Sequence, residues 1–193
     1  SQPNSSANGI TTQLIEIQNS DSISLSVNML GSYNATNAAC ALAASQILGL
    51  SIAASLESLK NVRSIPGRLE KVTIDSPGTA IVDYAHTPDA VATVLTVIKD
   101  ANPNRVITVI GCGGDRDSLK RPLMGKVAAQ LSDVVIVTDD NPRSEDPATI
   151  RKSVVDGTKT GSAQVFEVSD RREAISQALK LAEPGDVIAV LGK

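Results

Sequence analysis

The chain has 193 residues, 41% of them hydrophobic and 20% charged, the balance of a soluble globular protein large enough for one or two cores. A net charge of −3 and an aromatic content of 2% argue against a nucleic-acid or anionic-membrane partner, because neither a basic surface nor a stacking platform is available. Two cysteines exclude a disulfide framework, and no signal peptide or apolar run of spanning length occurs; a cytoplasmic protein with free thiols at Cys40 and Cys112 is expected.

Residues 1–9 are Ser/Asn-rich and are expected to be a frayed end or an opened loop. Residues 11–17 and 23–29 alternate apolar and polar side chains around Asn19-Ser20-Asp21-Ser22, the pattern of an antiparallel hairpin with one buried face. Two strands do not hold in water alone, so other segments must cover them. Gly31-Ser32-Tyr33-Asn34 leads into an Ala-rich helix over 35–48, stopped by Gly49, and a shorter helix spans 52–59. Asn34 reads either as a helix N-cap or as an amide that faces a ligand.

After Ser64-Ile65-Pro66-Gly67 the texture changes. Strands over 69–75, 80–83, 105–110, 134–138, 164–168 and 187–191 alternate with helices over 88–99, 119–131, 147–157 and 170–182. That alternation predicts an α/β fold with a Rossmann-like, mostly parallel sheet, preceded by the hairpin and its helices, with the domain boundary between residues 65 and 66. Pro88 and Pro147 suit first helical turns.

Three polar stretches follow apolar strands and are expected at the carboxyl edge of the sheet, where open α/β folds bind ligands. The first is Asp83-Tyr84-Ala85-His86-Thr87-Pro88-Asp89, in which Asp83 suits either a ribose hydroxyl or a helix cap and His86, the single histidine, is structural or ligand-facing. The second is Gly111-Cys112-Gly113-Gly114-Asp115-Arg116-Asp117, and the third is Asp139-Asp140-Asn141-Pro142-Arg143. Arg116 and Arg143 carry planar forks that match carboxylates, and Asn141 adds an amide, which together predict a pocket for a small, carboxylate-rich molecule. Lys120-Arg121 reads as a solvated helix start or as further positive charge for that pocket. The glycine run is not G-x-G-x-x-G and follows the third strand of its domain, which disfavours a nicotinamide-dependent oxidoreductase. No G-x-x-x-x-G-K-[ST] segment exists, so these residues do not cradle a triphosphate in the P-loop manner.

Taken in order, Gly31-Ser32-Tyr33-Asn34, Pro66-Gly67-Arg68-Leu69-Glu70, the Asp83–Asp89 and Gly111–Asp117 stretches with Lys120-Arg121-Pro122, and Asp140-Asn141-Pro142-Arg143 resemble the Mur ligases, and among them the members that add diaminopimelate. The resemblance runs from about Gly31 to the last residue. It implies that residues 1–65 are the tail of a central ATP-binding domain and residues 66–193 a C-terminal, amino-acid-binding domain. It also implies an ATP- and Mg2+-dependent amide ligase joining meso-diaminopimelate to UDP-MurNAc-L-Ala-D-Glu through an acyl phosphate, acting as a monomer. Arg116, Asp140, Asn141, Pro142, Arg143 and Gly192 would then contact diaminopimelate, and Asn34, Arg68, Asp83 and His86 would lie on the ATP side. A buried Arg143 guanidinium left without its carboxylate would penalise lysine by about 3–5 kcal/mol. The family's P-loop, magnesium-binding acid and carbamylated lysine have no counterpart in these residues, and Leu191-Gly192-Lys193 matches only the start of its Gly-Lys-Gly-His-Glu motif, so an inactive fragment of a ligase is expected. A free-standing small-molecule binding module, or a lysine-adding member of the family, is the alternative.

Overall fold

The computed structural model describes residues 4–6, 9–15 and 22–192, and the chain divides into two compact units, Ser1–Leu69 and Glu70–Lys193. The first unit holds an antiparallel sheet of β1 (Asn4–Ser6), β2 (Gly9–Ile15) and β3 (Ser22–Val27), followed by α1 (Tyr33–Ile47) and α2 (Ile52–Asn61). The expected hairpin is present as β2 and β3, and its turn lies outside the described residues. β1 corrects the expectation of a frayed end. Asn4 to Ser6 pair antiparallel with Gly9 to Thr11, and a backbone ladder of this kind does not require an apolar pattern. The two helices supply the cover that the hairpin lacks, placing Ala35, Ala38, Leu56 and Leu59 around the buried Leu25 and Val27. Ser51 caps α2 by accepting from the Ala54 N–H at 3.3 Å.

The second unit is a six-stranded sheet in the order β4 (Glu70–Val72), β5 (Thr79–Asp83), β9 (Val187–Leu191), β6 (Val106–Ile110), β7 (Val134–Val137) and β8 (Gln164–Glu167). β4 is antiparallel to β5 and the other neighbours are parallel, so the unit is the expected mostly parallel α/β sheet. The expected strand over 69–75 shortens to β4, which ends at Val72 and cannot include Leu69, whose backbone is left-handed at φ 44°. β5, β6, β7 and β8 are followed by α3 (Pro88–Asp100), α4 (Lys120–Leu131), α5 (Pro147–Thr158) and α6 (Arg171–Leu181). Ala174, Ala178 and Ala182 seat α6 and its C-cap on the face formed by Ile107, Val109, Val134, Ile136, Ile188 and Val190. Strand alternation turns Thr108, Ile110, Val135 and Val137 to the opposite face, against α4 and α5.

Register aligns the strand ends. Asp83 pairs with Leu191, Leu191 with Ile110, Ile110 with Val137 and Val137 with Glu167. The polar stretches after β5, β6, β7 and β9 therefore leave one edge of the sheet together. β9 returns between β5 and β6, so its end joins theirs at the carboxyl edge, where open α/β sheets bind ligands.

Candidate functional site

Two loops dominate the edge, residues 111–119 after β6 and residues 138–146 after β7, and they are laced to each other. The Gly114 N–H donates to the Asn141 carbonyl at 2.9 Å, and the Arg143 guanidinium donates through Nη1 to the Gly114 carbonyl. The Ser144 hydroxyl donates to Asp115 Oδ1 at 2.6 Å. Glycine is required at 114: a Cβ there would lie 1.9 Å from the Pro142 carbonyl oxygen. Asp115 and Arg143 both sit in the left-handed region, φ 51° and 49°, so each loop turns sharply just where a charged side chain leaves it.

Beneath the lacing lies Arg121. Of the two readings that the sequence left open for it, a solvated helix start does not hold, since Arg121 is 3% exposed. Its Nη1 and Nη2 each donate to a Glu145 carboxylate oxygen at 2.7 Å, and Nη2 also reaches the Gly113 carbonyl at 3.3 Å. Glu145 Oε1 accepts the Asp115 N–H at 2.6 Å. The Arg121 fork and that N–H hold the Glu145 carboxyl below the usual carboxylate range. The spacing of Arg121 with the buried Met124, Gly125 and Ala128 was the sequence signal for its burial.

The expected ligand contacts fall as follows. Arg116 is exposed and makes no hydrogen bond or ion pair with any described residue, and Arg143 is exposed with Nε and Nη2 likewise unpaired among them. The exposure of Arg143 corrects the expectation of a buried guanidinium, because its left-handed turn carries it outward. Asn141 Oδ1 accepts the Arg143 N–H at 3.3 Å and so shapes the turn, while the Pro142 carbonyl accepts the Glu145 N–H at 3.0 Å. Asp140 is half-buried, and its charge opposes the effect of burial on Arg171, whose guanidinium is pushed below its ordinary pKa. Arg171 was not singled out by the sequence, although a cation in the first turn of a helix, against the macrodipole, is a signal. Its Nη2 donates to the Leu191 carbonyl at 3.0 Å, and its Nη1 is buried with no partner among the described residues. Gly192 donates its N–H to the Asp83 carbonyl at 3.2 Å, which ties the end of β9 to the end of β5.

On the β5 side, Asp83 is 4% exposed and its Oδ1 accepts the Ala85 N–H at 2.8 Å. It does not cap α3; Thr87 does, accepting from the Ala90 N–H. His86 is exposed, with Nδ1 3.0 Å from the Tyr84 carbonyl and its ring edge-on to Tyr84. The Lys120 ammonium donates to the His86 carbonyl at 2.9 Å, joining the β5 loop to the start of α4. Asn34 and Arg68 belong to the first unit. Asn34 is not the N-cap of α1, a position taken by Ser32; it lies buried in the first turn, its amide donating to the Leu30 carbonyl at 2.6 Å and its oxygen accepting from Asn37. Arg68 is exposed on a turn in which its N–H donates to the Ile65 carbonyl. An apolar groove of about 370 Å³ between α1 and α2, lined by residues such as Leu42, Leu50 and Leu59, offers no charged group to a carboxylate.

The second unit is thus an open α/β domain whose carboxyl edge presents the Arg116 and Arg143 guanidiniums on loops that are hydrogen-bonded to each other. A sequence profile of the family described as "Mur ligase, glutamate ligase domain" matches residues 67–193, and the chain belongs to that family. The chain is 43% identical over 183 residues to "UDP-N-acetylmuramoyl-L-alanyl-D-glutamate--2,6-diaminopimelate ligase" of Brucella melitensis, and 44% identical over 183 residues to the protein so named in Agrobacterium fabrum. Each alignment covers 94% of this chain and 37% of the relative, so the chain spans a little over a third of their length. A solved structure titled as the same ligase superposes with a TM-score of 0.66 at 37% identity, covering 99% of this chain and 39% of that one. A folylpolyglutamate synthase from Mycobacterium tuberculosis shares the fold, with a TM-score of 0.77 at 22% identity.

Proposed function

We propose that this chain is part of an ATP-dependent amide ligase that adds meso-diaminopimelate to UDP-MurNAc-L-Ala-D-Glu in the cytoplasm, during peptidoglycan precursor synthesis. One observation carries the reading: two exposed guanidiniums, Arg116 and Arg143, stand on loops that are hydrogen-bonded to each other, in a chain 43% identical to a ligase named for that amino acid. On this reading residues 66–193 form the amino-acid-binding domain and residues 1–65 the tail of a nucleotide-binding domain.

In the reaction, ATP phosphorylates the D-glutamyl carboxylate, the amine of diaminopimelate attacks the acyl carbon, and phosphate leaves as the amide forms. The contribution of these residues is to hold the amine donor. Arg116 grips one carboxylate, and Asn141 and Arg143 grip the distal amino acid centre, with Asp140, Pro142 and Gly192 shaping the pocket; positioning of this kind supplies a large share of a two-substrate barrier. Asp83 and His86, and in the first unit Asn34 and Arg68, are assigned to ATP by the resemblance. Among the described residues no three His, Cys, Asp or Glu side chains form a metal cluster, so no step is assigned to a magnesium ion held by them.

The test is ADP release and product mass from the intact protein that carries this chain, given ATP, Mg2+, UDP-MurNAc-L-Ala-D-Glu and either meso-diaminopimelate or L-lysine. Ligation of diaminopimelate in preference to lysine is expected, with Arg143→Met reducing that preference. Preference for lysine refutes the substrate assignment, and no ligation with either refutes the ligase reading.

A further inference from the structure

We propose that the Arg121–Glu145 pair is a positioning strut that sets the amino-acid specificity of this site without touching the ligand; the inference rests on the ligase reading above. The pair is the junction of both arginine-bearing loops. Glu145 lies two residues beyond Arg143 and its N–H is fixed on the Pro142 carbonyl at 3.0 Å, while its carboxylate holds the N–H of Asp115, the residue before Arg116, at 2.6 Å. Arg121 closes the junction from α4, gripping both carboxylate oxygens at 2.7 Å and the Gly113 carbonyl at 3.3 Å. A single carboxylate thus references Arg116 and Arg143 to each other and to a helix packed on the sheet.

Stability alone does not call for a charged pair here. Arg121 is buried and Glu145 half-buried, and an ion pair drawn out of water in this way is commonly no more stabilising than an apolar pair of the same volume, because desolvation offsets its attraction. What the planar fork adds is geometry: two parallel bonds fix distance and orientation together. Geometry is what this edge needs, since Asp115 and Arg143 hold left-handed backbones that persist only when their surroundings over-determine them. With the strut removed, the turns rest only on the direct bonds between the loops at Gly114 and Ser144, and the separation of the two ligand-gripping guanidiniums is set less tightly. A ligand with two carboxylates at fixed spacing is sensitive to that separation, and an amino acid with one carboxylate is much less so.

The experiment compares the intact protein with Glu145→Gln, Glu145→Asp and the double variant Arg121→Met/Glu145→Leu, whose apolar pair keeps the volume filled. Steady-state kinetics with meso-diaminopimelate and with L-lysine give the selectivity ratio, KM for ATP is measured alongside, and melting temperature reports the fold. The inference expects Glu145→Gln and the double variant to raise KM for meso-diaminopimelate by about tenfold or more and to reduce selectivity by a similar factor, as roughly ångström misplacements do. KM for ATP should stay within about twofold, with partial rescue by Glu145→Asp, which keeps the charge. A merely structural pair would lower the active fraction and leave the ratio unmoved. Unchanged selectivity in a folded double variant overturns the inference and leaves the ligase reading intact, and so does a double variant that fails to fold. A wild-type protein that ligates neither amino acid overturns the ligase reading and this inference with it.

Discussion

Substituting Gly114 with alanine tests whether the close approach of the two loops holds the site together. The new methyl carbon would stand 1.9 Å from the Pro142 carbonyl oxygen and 2.7 Å from its carbon. Non-bonded carbons settle at about 3.5–4.0 Å, so the loops must part by roughly an ångström or more. That movement breaks the Gly114 N–H bond to Asn141 and the Arg143 guanidinium bond to the Gly114 carbonyl. The first contributes about 1 kcal/mol and the second about 1.5–3. Both loops face water on one side and recover part of this, so a net loss of about 3 kcal/mol is expected, within the range for an overpacked site. At about 2–4 °C per kcal/mol, melting should fall by roughly 6–12 °C. Gly49→Ala is the control. Gly49 has φ +77° and a Cβ there meets nothing within 4 Å, so only backbone strain of about 1 kcal/mol is added. Thermal melting of the chain followed by circular dichroism decides the matter. A Gly114→Ala variant that melts within about 2 °C of wild type, or no lower than Gly49→Ala, refutes the reasoning.

Other perturbations address separate links in the structure. Arg105→Met removes the fork that donates to Asp186 Oδ2 at 2.7 and 3.1 Å and leaves a carboxylate that is 1% exposed held by backbone N–H groups, that of Glu183 at 2.9 Å among them; urea titration at pH 7 should show a loss of about 2–3 kcal/mol. Burial pushes the Asp186 carboxyl up, but Arg105 and the backbone N–H groups outweigh it and hold the group below its ordinary 3.8. Its contribution is therefore present above about pH 4 and fades as pH falls through the depressed value, so melting curves between pH 7 and pH 2 should converge for wild type and Arg105→Met at the acid end. Cys112 is buried, and burial pushes its thiol up to about 11, whereas Cys40 is exposed. A thiol reagent at pH 8 should modify one cysteine in the native protein and two in denaturant, and rapid modification of both in the native state contradicts the packing of β6 against α4.

The fold was legible wherever one physical signal sufficed. Pro88 and Pro147 open α3 and α5 at the predicted residues, and Asp170 caps α6, because a fixed φ and a short acceptor are local requirements. The apolar runs after Asn104 and Asp133 became buried parallel strands for the reason that both their faces are covered. Signals that depend on distant partners were not legible. Arg121 beside Lys120 looks like charge on a helix surface until Glu145, on the next loop, is known to face it. The polar strand β1 depends on backbone pairing that leaves no pattern in the side chains. Asn34 shows a local rule failing, since Ser32 already takes a helical backbone as the N-cap and the asparagine falls two residues later, in the first turn. The arginine-bearing loops were legible by composition, but their mutual lacing was not.

On the proposed function, that lacing bears on how strongly the site can discriminate between amino acids. The polar backbone groups that fix the loops are satisfied before any ligand arrives, so binding does not have to order the loops, and the ordering cost falls mainly on the Arg116 and Arg143 side chains, at about 1–2 kcal/mol each. A charge-assisted bond to a carboxylate contributes about 1.5–3 kcal/mol, which leaves a modest surplus per carboxylate. Both guanidiniums are exposed, so an amino acid that lacks the second carboxylate leaves Arg143 in water rather than stranded. Discrimination by these residues alone should then be no more than about thirtyfold in affinity, measured by calorimetry on this chain with meso-diaminopimelate and L-lysine. The larger penalty of about 3–5 kcal/mol applies only if Arg143 loses its water when substrate binds. A selectivity in turnover by the intact protein far above the affinity ratio of this chain would show that it does, whereas equal ratios would mean that the exposed fork sets specificity unaided.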